Sequence, residues 1–403
     1  MANDVVIYTV IHQPKRPKLP AQPIPKDASP QEMEGIIFDS AVNRYYFDKV
    51  SRTCYYPASD LFNGLVESGF KLSLGFSVSF LKQAEEWDVE LLNRFKTLVR
   101  RENVELVCVE PYHSFIFYLD IDMFIERMKW GRDYLQNLFG KEISVTDTTE
   151  MFMSNDVYYA LNSIGFAGAL MEGQGWQLGS NLRQPTYLYH QNRDMVLLAR
   201  HRPLSDDVGY RFSDRTWDGY PLYADDYAQW LRDAEGDFVL IGWDFETFGE
   251  HHYVDSGIFE FMMRLPYELD RRGVGFLLTS EVIKKYSENR RELTLPAEPS
   301  TWAGSGGMDF FLGNSAQSAI FQLMHAAYNI AKLSENPDLL DIASWLAQSD
   351  NLHLIQWFGK SGPEANVSAY FTPRQWWDLG DNRIIWELQQ IYKNFIQACI
   401  KNW

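Results

Sequence analysis

The sequence predicts an α/β protein: a parallel sheet, closed as a β/α barrel or doubly wound, followed by a mostly helical C-terminal unit. Three observations predict it. Short apolar runs recur as far as Thr279, each followed by a polar turn and then by a stretch long enough for a crossover helix. Ionisable clusters at His12, Glu110 to His113, Glu150 and Asp244 to His252 fall just behind those runs, positions that converge on the C-terminal rim of a barrel. Beyond Tyr286 the runs give way to a charged, then Gly- and Ser-rich segment to Gly307, and two amphipathic patterns follow.

Taken in order, Val5 to Ile11 is β-branched and aromatic enough for a strand and ends directly in His12, Gln13 and Pro14. From Lys15 to Leu61 five prolines (17, 20, 23, 25 and 30) and the rings of Tyr45, Tyr46, Phe47, Tyr55 and Tyr56 crowd together. That span is too proline-rich for a core element and too aromatic for a disordered linker, so it reads as an ordered excursion over the barrel mouth, its rings in loops. Lys71 to Phe76 and Glu105 to Val109 are further strands, and between them Phe80 to Arg101 has helical spacing at Leu81, Ala84, Leu91, Leu92, Phe95, Leu98 and Val99. Ile125 to Leu138 is a helix stopped by Gly140. Ile143 to Val145, Gly165 to Met171, Met195 to Ala199, the run from Phe238 and Gly275 to Thr279 bring the strand candidates to eight. Gln317 to Leu333 and Ile384 to Cys399 are amphipathic helices, so the expected division is a barrel over 1–286 and a helical domain over 287–403 that contributes to the cleft.

Composition limits the partners. A formal charge of −17 leaves no basic face for nucleic acid or an anionic membrane. Aromatic residues make up 15% of the chain, and rings in loops suit stacking on sugars, a lean towards carbohydrate. Cys54, Cys108 and Cys399 are few, far apart and in no CxxC arrangement, which fits a reducing compartment. A strand begins within a few residues of Met1 and no run of 18 apolar residues occurs, so the expectation is a cytoplasmic protein.

The stretch FVLIGWDFETFGEHH, Phe238 to His252, carries the densest chemistry. An apolar run switches within one residue to Asp244, Glu246 and Glu250, interleaved with Trp243, Phe245, Phe248, His251 and His252. Carboxyls at the mouth of a buried strand are placed where burial and like charge raise a pKa, as an acid catalyst requires. Such groups are more often simply solvated. The two histidines beside three acids also suit a divalent ion, although HExxH and HxH spacings are absent. Two carboxylates on separate strands of one rim, Glu150 and Asp244, suit glycosidic bond cleavage: one attacks or stabilises the anomeric carbon, the other protonates the leaving oxygen.

With these residues in view, the chain resembles glycoside hydrolase family 57, the α-amylases and related α-glucan enzymes. The resemblance rests on HQP at His12 to Pro14, EPYHS at Glu110 to Ser114, TTEMFMSND from Thr148, DFETFGEHH from Asp244 and TSEVI from Thr279. It continues in TWAG at Thr301 to Gly304, LGNSAQ from Leu312 and AQSDNLHLI from Ala347. It implies an incomplete, seven-stranded (β/α)7 TIM-like barrel with a helical domain behind it, so one of the eight strand candidates is in excess. It also implies a retaining mechanism without metal or cofactor, with Glu150 as nucleophile and Asp244 as general acid/base. His12, Gln13, Glu110, His113, Trp243, Glu246, His251 and Trp302 are the expected substrate contacts, and an α-glucan or maltooligosaccharide the expected substrate. Two positions depart from the family pattern: Gly304 stands where an aspartate is expected and Asn351 where a histidine is. Hydrolysis, 4-α-glucanotransfer and non-catalytic glucan binding are the readings to separate.

Overall fold

The computed structural model describes residues 1–180, 183–192, 194–356 and 372–401. Its strands are β1 (Asp4–Ile11), β2 (Leu72–Phe76), β3 (Val104–Cys108), β4 (Val145–Thr146), β5 (Gly168–Glu172), β6 (Leu188–His190), β7 (Val196–Arg200), β8 (Phe238–Asp244), β9 (Gly275–Phe276) and β10 (Arg290–Glu292). The order β7-β5-β4-β3-β2-β1-β8, all parallel, closes through a β7–β8 pairing into a seven-stranded barrel. β6 lies antiparallel on β7 and carries β10, outside the ring.

The eighth strand candidate is the one in excess. β9 forms, but it pairs only with Asp4 and Val5 of β1, while β2 pairs with Tyr8 to Ile11. β1 offers one edge to both, so β9 fills its lower part and adds no stave to the barrel. Closure on the other side is slight. β8 follows β1 over seven residue pairs but meets β7 only at Arg200 and Leu240. The side chain of Arg200 continues that seam, its Nε donating to the Gly242 carbonyl at 2.9 Å.

Every residue of β1, β2, β5 and β7 is buried, which is why these strands read as continuous apolar runs rather than alternating ones. The helical reading of Phe80 to Arg101 resolves into Val78–Trp87 and Val89–Val99, divided at Asp88, whose side chain caps the second helix by accepting from the Leu91 amide. Gly140 ends the helix Ile121–Phe139 in the left-handed conformation, φ 69°.

The excursion after Lys15 is more helical than its prolines suggest. Pro30 opens the helix Pro30–Ile37, where a missing N–H costs nothing, and Ser29 and Glu32 form a capping box. Ser40–Val50 and Tyr56–Glu67 follow, joined by a π turn. Its rings are also less loop-like than expected: Phe47 and Tyr55 are fully buried, packed on Phe80, with Tyr55 also against Phe245 of the rim. Proline density marked the segment's start but said nothing of its buried face.

The C-terminal region is helical, with Ser315–Leu333, Pro337–Leu346 and Asp381–Lys401 packed together. Cys54, Cys108 and Cys399 are buried and unbridged. No helix among the described residues is long and apolar enough to cross a membrane.

Candidate active site

Two loops, one after β4 and one after β8, bring carboxylates to a single cavity at the C-terminal rim. Glu150 and Asp244 both line it, with His12, His113, Glu246, His251 and Trp302 from the expected contacts, and with Tyr210, Phe310, Asp350 and His353 in addition. A larger cavity of about 460 Å³ lies beyond Lys15, between the excursion and helix Pro337–Leu346, and none of the expected site residues lines it.

Glu150 is set on strained backbone. It and Met151 have φ of 51° and 52°, a left-handed pair without glycine that costs on the order of 1–3 kcal/mol per residue. The surroundings hold it there. The Glu150 carbonyl accepts from Thr301 Oγ1 at 2.6 Å and from the Trp302 amide at 3.2 Å, while Thr148 Oγ1 donates to the Phe152 carbonyl at 2.8 Å. At the carboxylate, Trp302 Nε1 donates to Oε2 at 2.6 Å and Ser349 Oγ lies 3.3 Å from Oε1. Burial pushes the Glu150 carboxyl up to about 8; the indole donor opposes this, and the charges of Asp244 and Asp350 add to it.

Asp244 is the last residue of β8 and stands among other acids. Burial is the main cause that raises Glu150, Asp147 and Glu246, and the charge of Asp244 adds to it in each. Asp147 receives the Tyr8 hydroxyl at 2.7 Å and lies at about 7, raised chiefly by burial. Tyr55, from the excursion, donates its hydroxyl to Glu246. Gly249 makes the following turn possible: at φ 119°, an added Cβ would stand 2.0 Å from the Thr53 carbonyl. There Glu250 is clamped by Lys49 and Thr53, so the acidic loop is tied to the excursion beneath it.

His12 and His113 stack at 4.0 Å with 17° between their planes. His12 sits between Ser77, 2.8 Å from Nδ1, and Asp350, 3.0 Å from Nε2, and His113 Nδ1 lies 3.0 Å from Ser349 Oγ. Burial would raise Asp350, but the His12 partner overrides it and holds this carboxyl at about 2. Burial, with the charge of His12 added, keeps His113 well below the usual imidazole range, and burial depresses His251 to about 3 and His353 to about 4. Candidate ligand atoms of His12, His113 and Asp350 lie within 4.8 Å of one another. The parallel rings direct their in-plane lone pairs side by side rather than at one point, so a shared ion would require one ring to turn.

Three expected contacts do not reach this cavity. Gln13 is buried behind it, donating to the Tyr55 hydroxyl at 2.8 Å, because it follows His12 on extended chain and points to the opposite side. Glu110 is fully buried and accepts from the Ser114 amide at 2.6 Å, with Thr149 Oγ1 at 3.5 Å; it braces the loop that carries Glu150. Trp243 alternates with Asp244 along β8, so its ring faces the core, donates to the Ser205 carbonyl at 2.9 Å and borders only a small recess beside the cavity.

The two departures from the family pattern also resolve. Asn351 is turned away, its amide donating to the Leu346 carbonyl at 2.9 Å, whereas Asp350 before it and His353 after it line the cavity. Gly304 has φ 54° and packs on Phe310, a conformation in which a side chain would be crowded. Asp350, Ser349 and His353 were legible as polar residues in AQSDNLHLI, but nothing local distinguished them from Asn351.

The sequence profile described as glycosyl hydrolase family 57 matches residues 10–296, well over half of the chain. A protein of Methanocaldococcus jannaschii named "Putative alpha-amylase" is 33% identical over 346 residues, covering 83% of this chain and 73% of that protein. Among solved structures, the 4-alpha-glucanotransferase of Thermococcus litoralis superposes with a TM-score of 0.64 at 14% identity, over 87% of this chain but only 56% of that one. A GH57 branching enzyme from Thermococcus kodakaraensis gives 0.64 at 14% identity, over 99% of this chain and 96% of that one. At such identities the structures speak for the fold, and the sequence matches speak for the family. The chain belongs to glycosyl hydrolase family 57 and is a glycoside hydrolase.

Proposed function

We propose that this enzyme cleaves α-1,4-glucosidic bonds of an α-glucan, such as starch, glycogen or maltodextrin, with retention of configuration. Glu150 attacks the anomeric carbon as Asp244 delivers its proton to the departing glycosidic oxygen, leaving a glycosyl ester on Glu150. Water then attacks the same carbon, returning its proton to Asp244 and freeing Glu150. The observation that supports this most is the setting of Glu150: a carboxylate on strained backbone, held by an indole N–H at 2.6 Å, facing a cavity that Asp244 also lines. NMR of the first product released from maltoheptaose tests it. The α-anomer is expected, and a β-anomer appearing first sinks the retaining mechanism. Maltotriose separates hydrolysis from 4-α-glucanotransfer. Only shorter sugars are expected, whereas a ladder of longer ones means that a sugar intercepts the ester.

A pH dependence follows from the Glu150 pKa. Attack requires the Glu150 anion while Asp244 keeps its proton, so the active form holds one proton between the two carboxyls. Burial, with the charge of Asp244 added, holds Glu150 at about 8, and loss of that last proton removes the acid, so kcat/KM falls as pH rises through that region. The Trp302 indole favours the anion, so removing its N–H raises the pKa further. Trp302→Phe is expected to move this alkaline limb upward by about one pH unit, the equivalent of a charge-assisted hydrogen bond of roughly 1.5 kcal/mol. A limb that stays put or moves down in the variant's pH–rate profile contradicts this.

A further inference from the structure

Behind the cavity lies a quartet of charges, three buried and one, Arg202, half-buried, that touches the supports of both carboxylates. Arg200 ends β7 and is 2% exposed; Arg202 opens the helix Arg202–Gly209. Arg200 donates through Nη1 to Glu172 at 2.8 Å and through Nη2 to Asp206 at 2.6 Å. Arg202 Nε lies 3.3 Å from the other oxygen of Asp206, and its Nη1 lies 3.7 Å from Glu172. Two guanidiniums face two carboxyls, so opposite charges are paired, and burial still pushes Glu172 up to about 7 against the pull of both guanidiniums.

Its outward contacts run in two directions. Arg200 Nε bonds the Gly242 carbonyl, two residues before Asp244, at the seam where β7 and β8 share one backbone pairing. Arg202 Nη1 donates to the Trp302 carbonyl at 3.0 Å and its Nη2 to the Gly304 carbonyl, so one guanidinium grips both ends of the turn that carries Trp302. The Arg200 guanidinium also lies 5.5 Å from the Trp302 ring centre. Gln177 holds the same turn from the β5 side, donating to the carbonyls of Thr301 and Gly306 at 3.1 Å each.

We propose that Glu172, Arg200, Asp206 and Arg202 form a positioning device that sets Asp244 and the Trp302–Glu150 pair in register across the gap. This rests on the roles given above to Glu150 and Asp244. Arg202 acts at a distance: it touches neither carboxylate, but fixes the indole that donates to Glu150. The fork meets two carbonyls and a carboxylate with three separate nitrogens, whereas an ammonium, though it has three donors, holds them all on one nitrogen and cannot span the same acceptors.

Arg202→Lys tests this with the charge balance kept. The expected result is a fall in kcat on maltoheptaose on the order of 10-fold to 100-fold, as for a small misplacement of a catalytic group, with KM changed much less. The alkaline limb of the pH–rate profile should move upward, because an indole that drifts from Glu150 no longer favours the anion. Because Arg202 acts through Trp302, the Lys change should cost far less in a Trp302→Phe background than in the wild type. An unshifted alkaline limb overturns the proposal, as does an equal loss in the two backgrounds. The reading beneath it is checked separately by Glu150→Gln: a Gln variant that keeps full activity removes the proposed chemistry, whereas an inactive one with normal Arg202→Lys behaviour removes only the positioning role.

Discussion

Glu150→Gln will abolish turnover of maltoheptaose, lowering kcat on the order of 10⁴-fold or more, the scale on which removal of a catalytic nucleophile is felt. Oligosaccharide binding will survive. The amide oxygen can still accept from Trp302 Nε1, 2.6 Å from the carboxylate oxygen it replaces, so the strained turn keeps its clamp through Thr301 and Trp302. Calorimetry with maltoheptaose measures that binding beside the lost turnover. A truncated variant distinguishes a nucleophile from a general acid. In Glu150→Ala, azide has room to attack the anomeric carbon from the vacated side, and an activated α-maltoside should then yield the β-glycosyl azide. Loss of activity without azide product would leave Glu150 some other role, and retained activity would remove it from the mechanism.

How much of this was readable beforehand differs between fold and site. The barrel strands were legible because they are buried on both faces, so each reads as an apolar run without ambiguity of register. The run from Gly275 to Thr279 reads like a barrel strand, yet only Gly275–Phe276 pairs and neither residue is buried, because β1 has only the lower part of one edge left to offer, which no local pattern encodes. At the site, the loop ends carrying Glu150 and Asp244 followed from strand position alone. Which neighbours face the cavity did not. The resemblance implies Gln13 and Trp243 as contacts beside His12 and Asp244, yet neighbouring residues at a strand end point oppositely, so His12 and Asp244 line the cavity and these two pack behind it. Asp350 was missed for the converse reason. Its importance comes from His12, 338 positions away, and a contact of that range leaves no mark on the surrounding residues. Arg200 and Arg202 were equally silent, since a basic residue at a strand end reads as solvated until its carboxylate partners are placed around it.

Asp244→Asn should produce a loss that depends on the leaving group. Natural maltooligosaccharides depart as sugar alkoxides and need a proton, so kcat on maltoheptaose is expected to fall about 10²-fold to 10⁴-fold, the usual contribution of a general acid. An α-maltoside of a nitrophenol leaves without that help, so the glycosylation step should be much less affected. The same substitution tests the electrostatics of the site. Asp244's negative charge adds to the burial that raises Glu150, so beside a neutral amide the Glu150 carboxyl ionises at lower pH. On the nitrophenyl maltoside, which needs no acid, kcat/KM of Asp244→Asn should therefore rise with pH to a plateau reached below about 8 and show no alkaline limb. Comparing kcat/KM of the two substrates across pH reads both effects at once, because that ratio reports the glycosylation step and leaves out the later attack of water. Equal losses of kcat/KM on maltoheptaose and the nitrophenyl maltoside would deny Asp244 the role of acid, and an alkaline limb that persists in the variant would mean that its charge does not act on Glu150.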